Sequence, residues 1–218
     1  MCARELVGGR LPYILSTGGS SPLGTLGYVN AAFELQEQID ARLLPEPECI
    51  FVPVGSGGTA AGLVLGAKLS GLRSRIVAIL VTDIMPPTPR KLAKQANASL
   101  ALLQKHLPEL RSLQVGAGDF SIVSGYLGAC YGAPTDAGRR ARDQMRNLEG
   151  IALDTTYSAK CLAALLEAVQ QREYRDGPVL FWNTYSSVDP SAQLGPLPDY
   201  SQLPAEFHHL FTGPVVPA

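Results

Sequence analysis

Short apolar runs alternate with longer amphipathic stretches along most of this chain. Leu11–Ser16, Ile50–Val54, Arg75–Val81 and Val179–Asn183 read as strands, since a brief continuous apolar run bounded by turn residues suits a strand buried on both faces. Between them, helical periodicity predicts helices over Leu23–Leu43, Thr59–Leu69, Thr88–Leu107, Asp136–Leu148 and Ala159–Gln171. Strands alternating with helices predict an α/β fold, a parallel sheet flanked by helices. The pattern occupies residues 11–188, expected to be one α/β domain, with 1–10 an N-terminal tail and 189–218 a proline-rich C-terminal tail.

Composition narrows the choices. With 218 residues, 46% of them apolar, the chain can build one sizeable core. A net charge of −1 without any basic run argues against nucleic acid or an anionic membrane surface as partner. The apolar runs, Ile76–Val81 among them, are too short to span a bilayer, and Arg4, Glu5 and Arg10 interrupt any signal-peptide core. Cys2, Cys49, Cys130 and Cys161 are scattered without a C-x-x-C pair, which points to a reducing cytoplasm. His106, His208 and His209 have no carboxylate or thiol at ligand spacing, so no metal is expected.

The chemistry concentrates at Ile50–Gly62, IFVPVGSGGTAAG. A strand breaks at Gly55-Ser56-Gly57-Gly58 and restarts as a small-residue helix at Thr59. Unpaired N–H groups and the positive end of the helix dipole make such a junction an anion site, and Ser56 and Thr59 add hydroxyl donors. A P-loop is excluded because no Gly-Lys-Ser/Thr follows. A dinucleotide fingerprint fits loosely, with Gly55, Gly57 and Ala60 in place and Asp83 after the next strand. A turn made only for strand–helix packing is the bland alternative. Three further segments end strands or begin helices where ligands gather in parallel sheets: Ser16–Pro22, Tyr157–Lys160 and Trp182–Tyr185. Each also has a plain local reading: an N-cap turn, Ser158 as a helix N-cap, and Thr184 as a turn residue.

Taken in order, Gly18–Leu35, Val54–Leu63, Cys130–Gly138, Leu148–Lys160 and Leu180–Thr184 resemble the D-cysteine desulfhydrase and 1-aminocyclopropane-1-carboxylate deaminase family. The resemblance implies the tryptophan synthase β-like fold, with residues 11–188 its cofactor-binding part, and pyridoxal 5'-phosphate as cofactor. It assigns Gly55, Ser56, Gly57, Gly58 and Thr59 to the cofactor phosphate. Tyr131 and Tyr157 would line the substrate side, and Ser158 and Thr184 would stand near the pyridine nitrogen. Hydroxyl residues at those last two positions, where the deaminase branch has Glu and Leu, point to β-elimination of a thiol amino acid, because a neutral neighbour leaves a weaker electron sink. The expected activity is release of sulfide, pyruvate and ammonia from a D-cysteine-like substrate. Deaminase-like activity and a non-catalytic phosphate-ligand module are the alternatives, and a small nucleotide-binding oxidoreductase domain is a third.

The resemblance also implies what lies elsewhere. None of Lys68, Lys91, Lys94, Lys105 and Lys160 has the context of the family's Schiff-base lysine. Lys160 matches a different lysine. The chain is therefore expected to correspond to the large-domain part, partnered by a small amino-acid substrate and by a second copy or a missing N-terminal segment. Tyr185-Ser186 stands where the family has Gly-Gly, which would narrow the site.

Overall fold

The computed structural model describes residues 15–174, 177–194 and 199–213. Four strands form one sheet: β1 (Cys49–Val54), β2 (Arg75–Leu80), β3 (Ser121–Val123) and β4 (Val179–Phe181), in the order β3-β2-β1-β4. Every pairing is parallel, with Ile50 opposite Ile76 and Leu180, and Ala78 opposite Ile122. Five main helices accompany it: α1 (Pro22–Asp40), α2 (Gly58–Ser70), α3 (Pro89–Leu103), α4 (Asp136–Glu149) and α5 (Ser158–Gln170).

Both faces of the sheet are covered, which explains the unbroken apolar runs. Ile50, Val52, Val54, Ile76 and Ala78 pack against α1, α2 and α3. The alternate residues Cys49, Phe51, Val77, Ile79 and Val81 face Cys161, Ala164, Leu165 and Ala168 of α5. Strand β1, buried along its whole length, is the centre of the fold. Its Pro53 has no N–H for a ladder. It stands beyond the end of the β4 pairing, which covers only Cys49–Phe51.

The five expected helices all form, and three of the four expected strands have described counterparts. The strand expected over Leu11–Ser16 falls at residues 11–14 outside the described part, and Ser16 leads into a 3-10 turn, Thr17–Gly19. Helix α1 ends at Asp40 and not at Leu43, because Arg42 turns left-handed at φ 58°. Helix α3 ends at Leu103, short of Leu107. Pro108 opens a 3-10 turn there, and the residue before a proline avoids the helical region. The pattern gave no warning of β3, a three-residue edge strand that is only half-buried.

Helices α1 and α2 meet closely. A Cβ at Gly62 would lie 2.6 Å from both the Thr25 carbonyl oxygen and Tyr28 Cβ. One at Gly66 would lie 2.6 Å from Ala32 Cβ and 2.7 Å from the Val29 carbonyl oxygen. Gly66→Ala therefore pushes α1 off α2 and is expected to cost about 1–3 kcal/mol, the usual range for overpacking a filled core. Urea unfolding of parent and variant checks this; equal midpoints would contradict so tight a crossing.

Candidate functional site: a glycine cradle beside a tyrosine pair

The loop after β1 delivers its backbone to the start of α2. Gly57, at φ 101°, turns the chain into the helix. Of the N–H groups from Gly55 to Ala60, only that of Gly58 has an acceptor among the described residues. It donates to Ser20 Oγ at 3.1 Å, and Ser20 Oγ also shares a 2.7 Å hydrogen bond with Ser56 Oγ. The remaining donors and the positive helix end face a cavity of about 240 Å³. Gly18, Ser20, Thr25, Gly55–Ala60, Tyr157 and Thr184 are among its lining residues.

Ser20 reaches this place from the segment before α1. Ser21 caps α1 by accepting the Gly24 N–H at 3.0 Å, with Pro22 at the first helical position. Gly58 leaves room for the approach, since a Cβ there would lie 2.6 Å from Ser20 Oγ. Thr25, one turn into α1, is 1% exposed, and its hydroxyl has no partner. A buried hydroxyl left unpaired is costly.

A second hollow, of about 410 Å³, adjoins the first and shares Tyr157 and Thr184 with it; Tyr131, Asp154, Tyr185 and Ser186 also line it. The hydroxyls of Tyr131 and Tyr157 are 2.6 Å apart, with the rings edge to face at 5.9 Å. Burial first, and then the hydrogen bond to Tyr131, pushes the Tyr157 phenol well above its ordinary value. It stays protonated at neutral pH. The Tyr157 hydroxyl can therefore hold a proton or relay one to its neighbour.

Ser158 is the first residue of α5 and not its cap. Asp154 does the capping: its carboxylate accepts the N–H groups of Thr156 at 2.9 Å, Tyr157 at 2.6 Å and Ser158 at 3.0 Å. The Ser158 hydroxyl also bonds to that carboxylate. Ser158 is fully buried and lines neither hollow, whereas Thr184 lines both. The expected cradle residues and the two tyrosines come together; Ser158 stands one layer behind them. Asp154 escaped the sequence reading, although an acidic residue four positions before Ser158 was the available signal. Asp83, first read as part of a dinucleotide fingerprint, accepts the Tyr131 N–H at 3.1 Å. Among the described residues no group of His, Cys, Asp or Glu could hold a metal, and no helix is long and apolar enough to cross a membrane.

A family model described as "Pyridoxal-phosphate dependent enzyme" matches residues 2–184. The chain belongs to that family. D-cysteine desulfhydrase of Klebsiella pneumoniae is 34% identical over 177 residues, 81% of this chain and 51% of that protein. The same enzyme of Salmonella typhi is 35% identical over 174 residues, 79% of this chain and 50% of that protein. A crystal structure titled as an ACC deaminase homologue superposes with a TM-score of 0.66 at 31% identity, covering 82% of this chain and 51% of that one. The chain thus spans about half the length of the curated relatives it matches. The fold is the tryptophan synthase β-like fold of pyridoxal-phosphate enzymes, and the family's cofactor is pyridoxal phosphate. The donor set fits such a group: free backbone N–H groups at a helix start, two serine hydroxyls and an orphaned threonine hydroxyl around one cavity.

Two outcomes follow. A side chain at Gly57 would point away from the cavity, into Leu92 and Gln95 of α3, so the electrostatic probe belongs at Ser56. Ser56→Asp sets a carboxylate among the cradle donors and is expected to weaken pyridoxal-phosphate binding at least tenfold, read by absorbance titration. Equal affinities would dissociate the loop from anion binding. The second outcome concerns Tyr126, whose hydroxyl donates to Glu167 Oε2 at 2.9 Å. Burial, aided by that carboxylate, pushes the Tyr126 phenol up to about 12. A raised phenol favours the protonated native state, so this stabilisation is complete below the ordinary value of 10.0 and is lost as pH climbs through about 12. Tyr126→Phe should flatten the fall in stability over that interval, measured by urea unfolding; an unchanged slope would refute the raised phenol.

Proposed function

We propose that this chain is the large-domain part of a pyridoxal-phosphate-dependent lyase acting on a small thiol amino acid, in the manner of D-cysteine desulfhydrase. The observation that carries the reading is the adjacency of the two hollows, an anion cradle and a tyrosine pair joined at Tyr157 and Thr184. Bound pyridoxal phosphate supplies an electron sink for charge developing at the substrate's Cα.

In this reading Gly55, Ser56, Gly57, Gly58 and Thr59 hold the phosphate through N–H and hydroxyl donors. Three or four charge-assisted bonds contribute roughly 1.5–3 kcal/mol each, which after ordering costs supports about micromolar to millimolar affinity. Tyr131 and Tyr157 orient substrate and hand a proton toward the departing thiol side. Thr184 offers a neutral hydroxyl at the shared rim, and Ser158 acts from behind through Asp154. The neutral Thr184 hydroxyl favours thiol elimination over the deaminase chemistry of the branch that carries Leu at that position. Tyr185 and Ser186 narrow the substrate side. The free thiols Cys49, Cys130 and Cys161 suit a reducing, cytoplasmic setting.

A non-catalytic pyridoxal-phosphate-binding module is the second reading. It is favoured by one feature of the lining: neither hollow has a lysine among its described residues. The first reading therefore includes a complement, the N-terminal segment of the family, which would bring the Schiff-base lysine. Strand β4 is a sheet edge among the described residues, and the groove beside it is lined by Leu35, Leu44, Leu180 and Trp182. Such an edge can accept added chain or a second copy.

Mixing experiments separate the readings. The chain alone is expected to bind pyridoxal phosphate without releasing sulfide from D-cysteine. Co-expression with the N-terminal half of the Salmonella typhi relative is expected to restore sulfide release. Binding without restoration would favour the module. No binding under either condition would end both readings.

A further inference from the structure

Lys160 is the least expected polar residue in this core. It is fully buried at the start of α5. Its ammonium makes one hydrogen bond, donating to the Leu127 carbonyl at 2.6 Å. Burial lowers its pKa, while Cys130, Asp154 and Asp83 act on it in the opposite sense. Lysine rarely occupies such a place without a task.

The neighbours of Lys160 supply that task. Asp154 holds the Tyr157 N–H at 2.6 Å, and Asp83 holds the Tyr131 N–H at 3.1 Å. The cation therefore lies in the field of two carboxylates, each gripping the backbone of one member of the phenol pair. Its own hydrogen bond fastens Leu127, the opposite end of the arc that carries Tyr131. That arc has little core of its own, since residues 128–131 are exposed, and Gly128 inside it and Gly132 just after it adopt positive φ. Tyr131 itself is 40% exposed, so packing alone does not fix its hydroxyl.

We propose that Lys160 and Asp83 are positioning residues: they clamp the two ends of the arc 127–131 and so deliver the Tyr131 hydroxyl onto that of Tyr157. Neither touches the pair's hydroxyls; both act through the backbone. A charge-assisted bond to a carbonyl is short and directional, which suits holding a loop in register where an apolar side chain of equal length could only fill space. The inference rests on the reading of Tyr131 and Tyr157 as the substrate side of the site, but its test needs neither cofactor nor activity.

The test uses the full chain labelled with carbon-13 at tyrosine Cζ, whose resonance reports hydroxyl hydrogen bonding. Tyr131→Phe and Tyr157→Phe assign the pair, and the first also defines where the Tyr157 signal lies once its partner hydroxyl is gone. Lys160→Met keeps the length and removes the donor. Asp83→Ala cuts the other clamp at an exposed position and is expected to fold. In each folded variant the Tyr157 signal should move to its position in Tyr131→Phe, while those of Tyr28 and Tyr174 stay in place. If Lys160→Met does not fold, Asp83→Ala decides alone. A Tyr157 signal unmoved in either folded variant overturns the proposal. Should the chain fail to bind pyridoxal phosphate while the signals move as expected, the functional reading falls and the clamp stands.

Discussion

Helix α2 approaches α1 closely because glycines stand where the two meet. Gly58, Gly62 and Gly66 recur every four residues along it, and at each a Cβ would collide with α1 or the segment before it. At Gly62 and Gly66 the consequence is packing, with backbone against backbone. At Gly58 the same stripe runs off the end of α1 and meets Ser20, whose hydroxyl takes the first free N–H of the helix. Fold and site are therefore one geometric decision. Moving α1 outward by the width of a methyl group would withdraw Ser20 from the cradle and leave α2 with a different opening.

The cradle and the tyrosine side are built from different materials. Backbone N–H groups supply most of the cradle, fixed by strand β1 on one side and by helix α2 on the other. Side chains supply the tyrosine side, and their placement depends on a chain of local caps: Asp154 organises the start of α5, Tyr157 follows from it, and Tyr131 arrives from a glycine-rich loop. Loss of one side chain can thus impair the second hollow without disturbing the first. In the proposed reading, anion binding and proton handling are therefore separable, and sequence change can remove them independently.

Much of this was legible in advance because the relevant signals were local. A buried parallel strand writes itself as an apolar run, so β1 and β2 were found to within a residue. The cradle was visible because positive φ, close approach and N–H donors all demand glycine in one short window. What escaped depended on partners distant in sequence. Strand β3 is three residues long and gains its identity only from pairing with β2. Ser158 depends on a partner of the same kind: its hydroxyl bonds to the Asp154 carboxylate, a contact that neither the cofactor-side expectation nor the plain cap reading contains. Asp83 fitted a nucleotide fingerprint by spacing, yet its contact, Tyr131, lies in a loop that spacing cannot bring near.

The buried lysine shows how far the family pattern and the physics can be separated. Matching motifs marks Lys160 only as a lysine other than the one that would bind the cofactor covalently. Its physical situation is more specific: one carbonyl, two nearby carboxylates, and no access to either hollow. An ammonium held this way is not a nucleophile, since it has no lone pair, and its side chain lines neither hollow. It is a good strut, because neutralising or shortening it leaves a loop carbonyl without its donor. Where the fold spends a buried charge, it does so to fix the side of the site that the backbone does not build.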